Sequence, residues 1–417
     1  MKALIRSTLA TLLTAGMASV SALALNPSHY VTKSALSSGK WVKVRVSAEG
    51  VHQVGYDELR QMGFSDPSKV KVCGFGGTYY YKHQFGAETP DDVNQTPSVH
   101  TADGRLLFYA DGEYRGVVSN VPNVTANDTT GVHTVVHQHN VYDRYGYYFL
   151  TDADVDVRRD AIDATGFKGD ALTSHLSVQK FERNLANKMQ GGTAFHDVQM
   201  KGGSTMEVPM TIKNYANGVA GQFGSFLAEV AVGESTKFST YSVDLQLPDT
   251  INLVASTPCY ASSLSSSDFV YTMANGGRLF DNAKAPIADG QYTFKLNFPT
   301  AYRLSYAALD RAFLVYPRTN SLDGARGGLV MQYVETKEGT PVVVSGATAD
   351  THVFDISDAA NVYELKGAYD KDALTYTFAL PRNYMSSSDG SGTGRFVAFN
   401  AADTHPGVEL VGEVANQ

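Results

Sequence analysis

The chain has 417 residues, with 34 Lys and Arg against 42 Asp and Glu, for a formal charge of −8 at neutral pH. That acidic balance, with no local basic patch, excludes a protein that grips nucleic-acid phosphates or anionic lipid by bulk charge. Charged residues are only 18% of the sequence while Tyr and Phe number 24 and 20, which suits a β-rich exported protein better than a helical bundle.

Met1, Lys2 and Arg6 precede the apolar run Leu9 to Leu23, and Ala22-Leu23-Ala24 offers a small-x-small cleavage site. Residues 1–24 therefore read as a signal peptide. The run is too short and too broken by Ser, Thr and Gly for a bilayer span, and no later run is long enough, so no membrane span is expected in the mature chain. No cysteine near the cleavage point invites lipid attachment. Loss of Lys2 and Arg6 takes the charge to −10 and leaves residues 25–417, enough for two or three domains.

In Lys40 to Val46, Trp41 or Val42, Val44 and Val46 alternate with Lys43 and Arg45, the pattern of a half-buried strand. A turn at Glu49-Gly50, a strand over Val51 to Val54 and a short helix over Tyr56 to Met62 follow, with Gly63 as its stop. Ser65 to Ser68 turns the chain into a strand over Lys69 to Gly74. Gly74-Phe75-Gly76-Gly77 lacks the later glycine of a dinucleotide fingerprint, having Tyr79 there, and runs into Tyr79-Tyr80-Tyr81 rather than a helix, so it reads as a bent turn. Asp103-Gly104 and Asp111-Gly112 bracket a strand over Arg105 to Ala110. The densest run of rings, Asn140 to Thr151, reads as a strand covered on both faces, with Gly146 as a bulge or a close backbone approach.

These segments resemble the PorU-type sortases of the type IX secretion system, gingipain-type cysteine peptidases. The likeness rests on Trp41 to Gly77, on Arg105 to Gly112 and on the N-x-Y-x-x-x-G-Y-Y-F-L-T pattern of Asn140 to Thr151. It is looser at Phe181-Glu182-Arg183-Asn184 and at Leu309-Asp310-Arg311-Ala312-Phe313. The ending Gly412 to Gln417 resembles the G-x-V-x-N-Q that stands before the family's peptidase domain. The resemblance implies a parent activity that cleaves carboxy-terminal secretion signals from cargo and attaches the cargo to lipopolysaccharide. It implies an outer-membrane β-barrel subunit and secreted cargo as partners, and a cell-surface or outer-membrane location after transit through the periplasm. The family's catalytic Cys and His belong to the domain expected beyond Gln417, so no residue here inherits those roles.

Strand-like segments continue at Leu176 to Phe181, Met206 to Ile212, Phe226 to Val232, Ser242 to Leu247, Tyr292 to Phe298 and Ala312 to Pro317. More follow at Gly328 to Tyr333, Pro341 to Ser345, His352 to Ile356, Asn361 to Leu365, Leu374 to Leu380 and Arg395 to Asn400. Many short strands without an amphipathic helix or a repeat predict an all-β fold of antiparallel, jelly-roll-like sandwiches with few short helices. The expected division is a β domain over 25–165, a sandwich over 166–385, and a loop, last strand and linker over 386–417, with Ser386 to Gly392 a flexible loop.

Three constellations invite chemistry. His133, His137 and His139 lie close, and the last two share one face of a strand, but a third metal ligand is missing locally. Asp152, Asp154, Asp156 and Asp163 begin like a calcium loop, but Val157 stands where the turn needs Gly and the last position lacks the bidentate Glu. Cys73 and Cys259, which would form a disulfide only if their Cα atoms approach, have no local sequence that activates a thiol. No catalytic, cofactor-binding or metal residue is therefore assigned. The function expected is the exported, non-catalytic scaffold portion of a sortase. The alternative is a free-standing β-sandwich binding module, with Tyr79 to Tyr81 as a carbohydrate platform.

Overall fold

The computed structural model describes residues 31–78, 92–120, 133–140, 143–155, 160–186, 195–198, 200–217, 223–234, 241–248, 257–261, 272–281, 287–298 and 305–416. Strands dominate these residues. One α-helix and two single-turn 3₁₀ segments, Ala35–Ser37 and Pro67–Lys69, are the helical elements among them.

The N-terminal part contains β1 (Trp41–Val46), β2 (Gly50–Gly55), α1 (Tyr56–Gln61), β3 (Lys71–Cys73), β4 (Gln95–Thr96), β5 (Ser98–His100), β6 (Arg105–Ala110), β7 (Tyr114–Asn120), β8 (Thr134–His139) and β9 (Gly146–Thr151). Strands β1 and β9 pair antiparallel, with Val44 opposite Tyr148 and Val42 opposite Leu150. Their alternation puts Val42, Val44, Val46, Tyr148 and Leu150 on one face, against Val54, Leu106 and Phe108 of the β2–β6–β5 sheet. Helix α1 closes this core with Leu59. Its start is capped by Glu58 Oε2, which accepts from Gly55 N–H at 2.7 Å, and its end by Gly63 at φ +89. There Phe64 N–H reaches Leu59 O and Gly63 N–H reaches Arg60 O, the paired bonds of a Schellman stop.

The rest of the chain builds β10 (Ile162–Asp163), β11 (Ser174–Phe181), β12 (Met200–Lys201), β13 (Thr205–Ile212), β14 (Phe223–Glu234), β15 (Tyr241–Gln246), β16 (Thr257–Ala261), β17 (Thr272–Asp281), β18 (Gly290–Asn297) and β19 (Ser305–Thr319). It then builds β20 (Leu329–Tyr333), β21 (Pro341–Ser345), β22 (Thr351–Asp355), β23 (Tyr363–Lys366), β24 (Ala368–Asp370), β25 (Thr375–Ala379), β26 (Gly394–Asn400) and β27 (Glu409–Val414). One large sheet runs in the order β10-β23-β22-β26-β20-β11-β19-β14-β17-β16-β15-β18-β13. Its β13 to β19 half curls over a core that includes Phe226, Phe294, Leu245 and Leu314. Its β20 to β26 half packs on the small β21–β25–β24 sheet through Met331, Phe378 and Phe396. The stretch 166–385 thus carries two apolar cores.

Three local readings change. The strand starts at Gly146 rather than at Asn140; ahead of it Asp143 N–H donates to Asn140 Oδ1 at 3.2 Å, and residues 141 and 142 lie outside the described residues. Ser386 to Gly392 is not free: Ser387 N–H donates to Ser119 O at 2.9 Å and Ser386 N–H to Glu335 Oε1 at 2.8 Å, which straps the loop across β7. Residues after 385 return to the body of the molecule, β26 as a fully buried inner strand of the large sheet between β22 and β20, and β27 along β1.

Hairpin β7–β8 lies between these bodies. Tyr114, Val118 and Val135 face Leu227, Phe313 and Val315 of the large sheet. Its backbone is clamped by Gln332, whose Oε1 accepts from Val118 N–H and whose Nε2 donates to Gly116 O, both at 3.0 Å.

Candidate functional site

The aromatic strand organises its surroundings by close packing. A Cβ on Gly146 would stand 1.8 Å from Asp111 O, so β9 passes against the β6–β7 connection in a way only glycine allows. Gly76, at φ +75, has Tyr148 Oη and the Asp111 Cβ within 2.8 Å of where its own Cβ would be. The Gly74 to Gly77 turn is therefore filled by protein atoms and leaves no room to cradle a phosphate. Tyr148 is buried on the main core while Phe149, half-buried on the opposite face, packs against Trp41 at 6.4 Å between ring centres.

One buried charge network joins the N-terminal sandwich to the large sheet. Asp111, 1% exposed, accepts from Tyr109 Oη at 2.5 Å, from Thr78 Oγ1 at 2.7 Å and from Arg115 Nη1 at 3.2 Å. Arg115 also donates to Gln138 Oε1 on β8 and to Ser357 O. Arg395, on β26 and 1% exposed, reaches Glu49 in the β1–β2 turn; Tyr109 Oη lies 2.6 Å from Glu49 Oε1 as well as 2.5 Å from Asp111, so its one hydroxyl proton is shared between the two carboxylates. Burial alone would raise the Asp111 carboxyl, but Arg115 and Arg395 outweigh it and hold it below the usual carboxylate range. Burial, with Asp111 and Glu49 beside it, pushes the Tyr109 phenol well up.

The second network lies on the opposite face of the hairpin. His137 Nδ1 is 3.0 Å from Arg311 Nη1, and its Nε2 is 3.7 Å from Glu182 Oε2. Lys180 Nζ stands 2.6 Å from that oxygen and 3.8 Å above the Tyr114 ring. Arg311 also holds Glu229 at 2.5 Å and Asp310 at 3.0 Å. The His139 ring lies tilted against that of His137, with centres 4.6 Å apart. Burial, aided by the Arg311 charge, lowers His137 to about 4, and His139 shifts the same way. Burial would raise Glu182, but His137 and Lys180 take it down to about 2.

Here the structure joins segments that the sequence singled out separately: the histidines of β8, Glu182 just past β11, and Asp310-Arg311 on β19. Arg311 and Lys180 already occupy the ring nitrogen and the carboxylate that a cation would need, and among the described residues no group of three or more His, Cys, Asp or Glu is placed to hold a metal. His133 stays at the foot of β8, where its backbone N–H donates to Ser225 Oγ at 3.1 Å.

The acidic run disperses. Asp154 pairs loosely with Lys71 at 3.7 Å, Asp163 accepts from Thr165 Oγ1 at 2.7 Å, and Asp156 lies outside the described residues. Asp152, Asp154 and Asp160 line a cleft of about 630 Å³ at the seam below β4 and β23, with Lys69, Lys71 and Lys366 on the same walls. Cys73 is a free thiol, fully buried beside Trp41 and Leu36, and burial pushes it up to about 12, the reverse of an activated nucleophile. The Cys259 side chain and Tyr79 to Tyr81 lie outside what the structure describes. Tyr145, just ahead of β9, and Tyr147, on its outer face, carry Arg45 and Lys43 over their rings at 4.0 Å and so present no open platform.

Sequence reasoning missed Glu49, Asp111, Arg115 and Arg395. Asp111-Gly112 carried only a turn signal, and Arg395 sat at the start of an apolar strand where a fully buried arginine leaves no periodic mark.

No protein-family model matches the sequence, and no curated protein matches it. Among solved structures, dimeric latent PorU from Porphyromonas gingivalis superposes with a TM-score of 0.68 over 93% of this chain, at 20% sequence identity. A β-porphyranase of glycoside hydrolase family 86 from the human gut bacterium Bacteroides plebeius (9% identity, TM-score 0.20, 67% of this chain and 35% of that one) and the VP2 subviral particle of infectious bursal disease virus (10%, 0.23, 90% and 83%) also align, at scores from which no common fold follows. The chain spans about a third of the PorU chain, 34%, and across nearly all of its own length it has a PorU-like fold.

Proposed function

We propose that this chain is the non-catalytic scaffold portion of a type IX secretion sortase, carried to the cell surface of a Gram-negative cell. The parent activity would be cleavage of carboxy-terminal secretion signals from cargo, followed by attachment of the cargo to surface lipopolysaccharide. The observation that carries the reading is the PorU-like fold over 93% of the chain, together with the sequence segments from Trp41 to Thr151 that resemble that family. The interior chemistry is in keeping with a scaffold: its buried charges are spent on joining layers, and Cys73 is held as an inert thiol. In this role the sandwiches position a peptidase domain against an outer-membrane β-barrel subunit and present a surface to cargo.

The test is capture from detergent-solubilised outer membranes of a cell with a type IX system, using residues 25–417 as bait. Recovery of the β-barrel subunit supports the scaffold role. Failure to retain it, with the bait folded and in excess, removes the proposed partner.

A further inference from the structure

We infer that hairpin β7–β8 is a proton-operated latch, seated on the large sheet at neutral pH and unseated on its His137 face when His137 takes up a proton. The starting point is the direction of one hydrogen bond. A guanidinium only donates, so the 3.0 Å contact between Arg311 Nη1 and His137 Nδ1 requires Nδ1 to accept. The seated imidazole is therefore neutral, with its proton on Nε2, toward Glu182 Oε2 at 3.7 Å. A second proton would place an N–H on Nδ1 against the Arg311 donors, with no acceptor and with like charges in contact.

Every element packed around His137 bears on this balance. Strand β7 contributes the neutral Tyr114 ring at 4.8 Å and β8 contributes His139 at 4.6 Å. The end of β11 brings Lys180 and Glu182, β19 brings Arg311 and Asp310, and β14 brings Glu229. Of the three carboxylates, Glu182 is engaged by Lys180, and Glu229 and Asp310 by Arg311. Glu182, the carboxylate facing His137 Nε2, is shared with Lys180, and burial together with the Arg311 charge outweighs the support it gives a charged His137.

The response is local because the remaining ties of the hairpin do not titrate in this range: Gln332 holds Val118 and Gly116, and Ser387 N–H holds Ser119 O. Under the titrating corner lies an apolar strip, Leu176, Val178 and Phe313, which unseating would uncover. An exported protein meets the pH of its surroundings directly, so such a latch would make that strip available only in acid.

Amide hydrogen exchange on the whole chain, corrected for intrinsic rates, tests the latch between pH 7 and pH 5. Peptides covering 113–120 and 133–140 should open more readily at pH 5, by roughly tenfold to a hundredfold from the lowered His137 value. Strand β20 should not change. His137→Gln, which keeps an acceptor and cannot charge, should flatten the response. Equal protection at both pH values, or the same pH response in the variant, overturns the latch. Should the variant fold poorly, NMR titration of the wild-type histidines decides. A His137 midpoint far below 6.5, followed by hairpin amide shifts, supports the latch; a midpoint near 6.5 without hairpin shifts overturns it.

Discussion

The two buried charge networks lie back to back on hairpin β7–β8, yet they are made of different groups and respond to different stresses. The Glu49–Arg395 and Asp111–Arg115 network, on the Arg115 face, contains no histidine, and its surroundings hold Asp111 below the usual carboxylate range and push Tyr109 and Arg395 above theirs, all away from neutrality. The network on the Tyr114 face is centred on a histidine that burial keeps neutral. The first is a fixed joint between layers; the second holds only while a proton stays away. Burial alone does not distinguish them, and whether the central group can change charge near neutrality does.

Breaking the fixed joint should have the largest effect. Arg395→Met leaves the partly buried Glu49 and the buried Asp111 with one guanidinium between them, and should cost about 3 to 5 kcal/mol, read by chemical denaturation. The double variant Arg395→Met with Glu49→Gln should regain part of that loss, because the orphaned charge goes too.

The aromatic strand provides a comparison within one element. Tyr148→Ala removes a ring that is 3% exposed and whose Oη accepts from Asp111 N–H at 2.8 Å, so the N-terminal sandwich should lose about 3 to 5 kcal/mol. Phe149→Ala, on the thinner layer beside Trp41, should lose about half as much. Equal melting of both variants and the wild type would remove the strand from the core.

Acid sharpens the contrast between the networks. His137 and His175 sit at about 4 and about 3 in the folded chain, below the ordinary 6.5, so the unfolded chain binds their protons first. Their contribution is complete above pH 6.5 and is lost as pH falls toward 4 and then 3. Glu182, at about 2, adds stability above its ordinary 4.5 that is lost between there and about 2. Asp111, also lowered, begins to give way only below its ordinary 3.8. A stability profile from pH 7 to pH 4.5 should therefore decline in the wild type and decline less in His137→Gln. The smallest effect belongs to the surface: Glu413→Gln breaks the 2.8 Å pair with Lys40 but should change stability by no more than about 1 kcal/mol, since Glu413 is 69% exposed and water already screens it.

How much was legible follows from where each residue's partners lie. Strands β1 and β6 could be read because their alternation and their Asp-Gly brackets are local. Strand β17, Thr272–Asp281, could not: Asn275-Gly276-Gly277 spells a turn, and only pairing with β14 along ten residues makes it a strand. The 15 residues of β19 likewise run well beyond the apolar segment Ala312 to Pro317. For the networks, the histidines and Asp310-Arg311 were visible as separate signals, but Glu49 and Arg395 are 346 residues apart and meet only through the fold.

The central claim, that this PorU-like chain is structural rather than catalytic, is tested most directly by peptide hydrolysis with purified residues 25–417. The account predicts a folded protein that cleaves no peptide in reducing buffer, and a Cys73→Ser, Cys259→Ser double variant indistinguishable from it apart from a stability loss. Thiol-dependent cleavage by the wild-type fragment, abolished by Cys73→Ser or by Cys259→Ser, would contradict it.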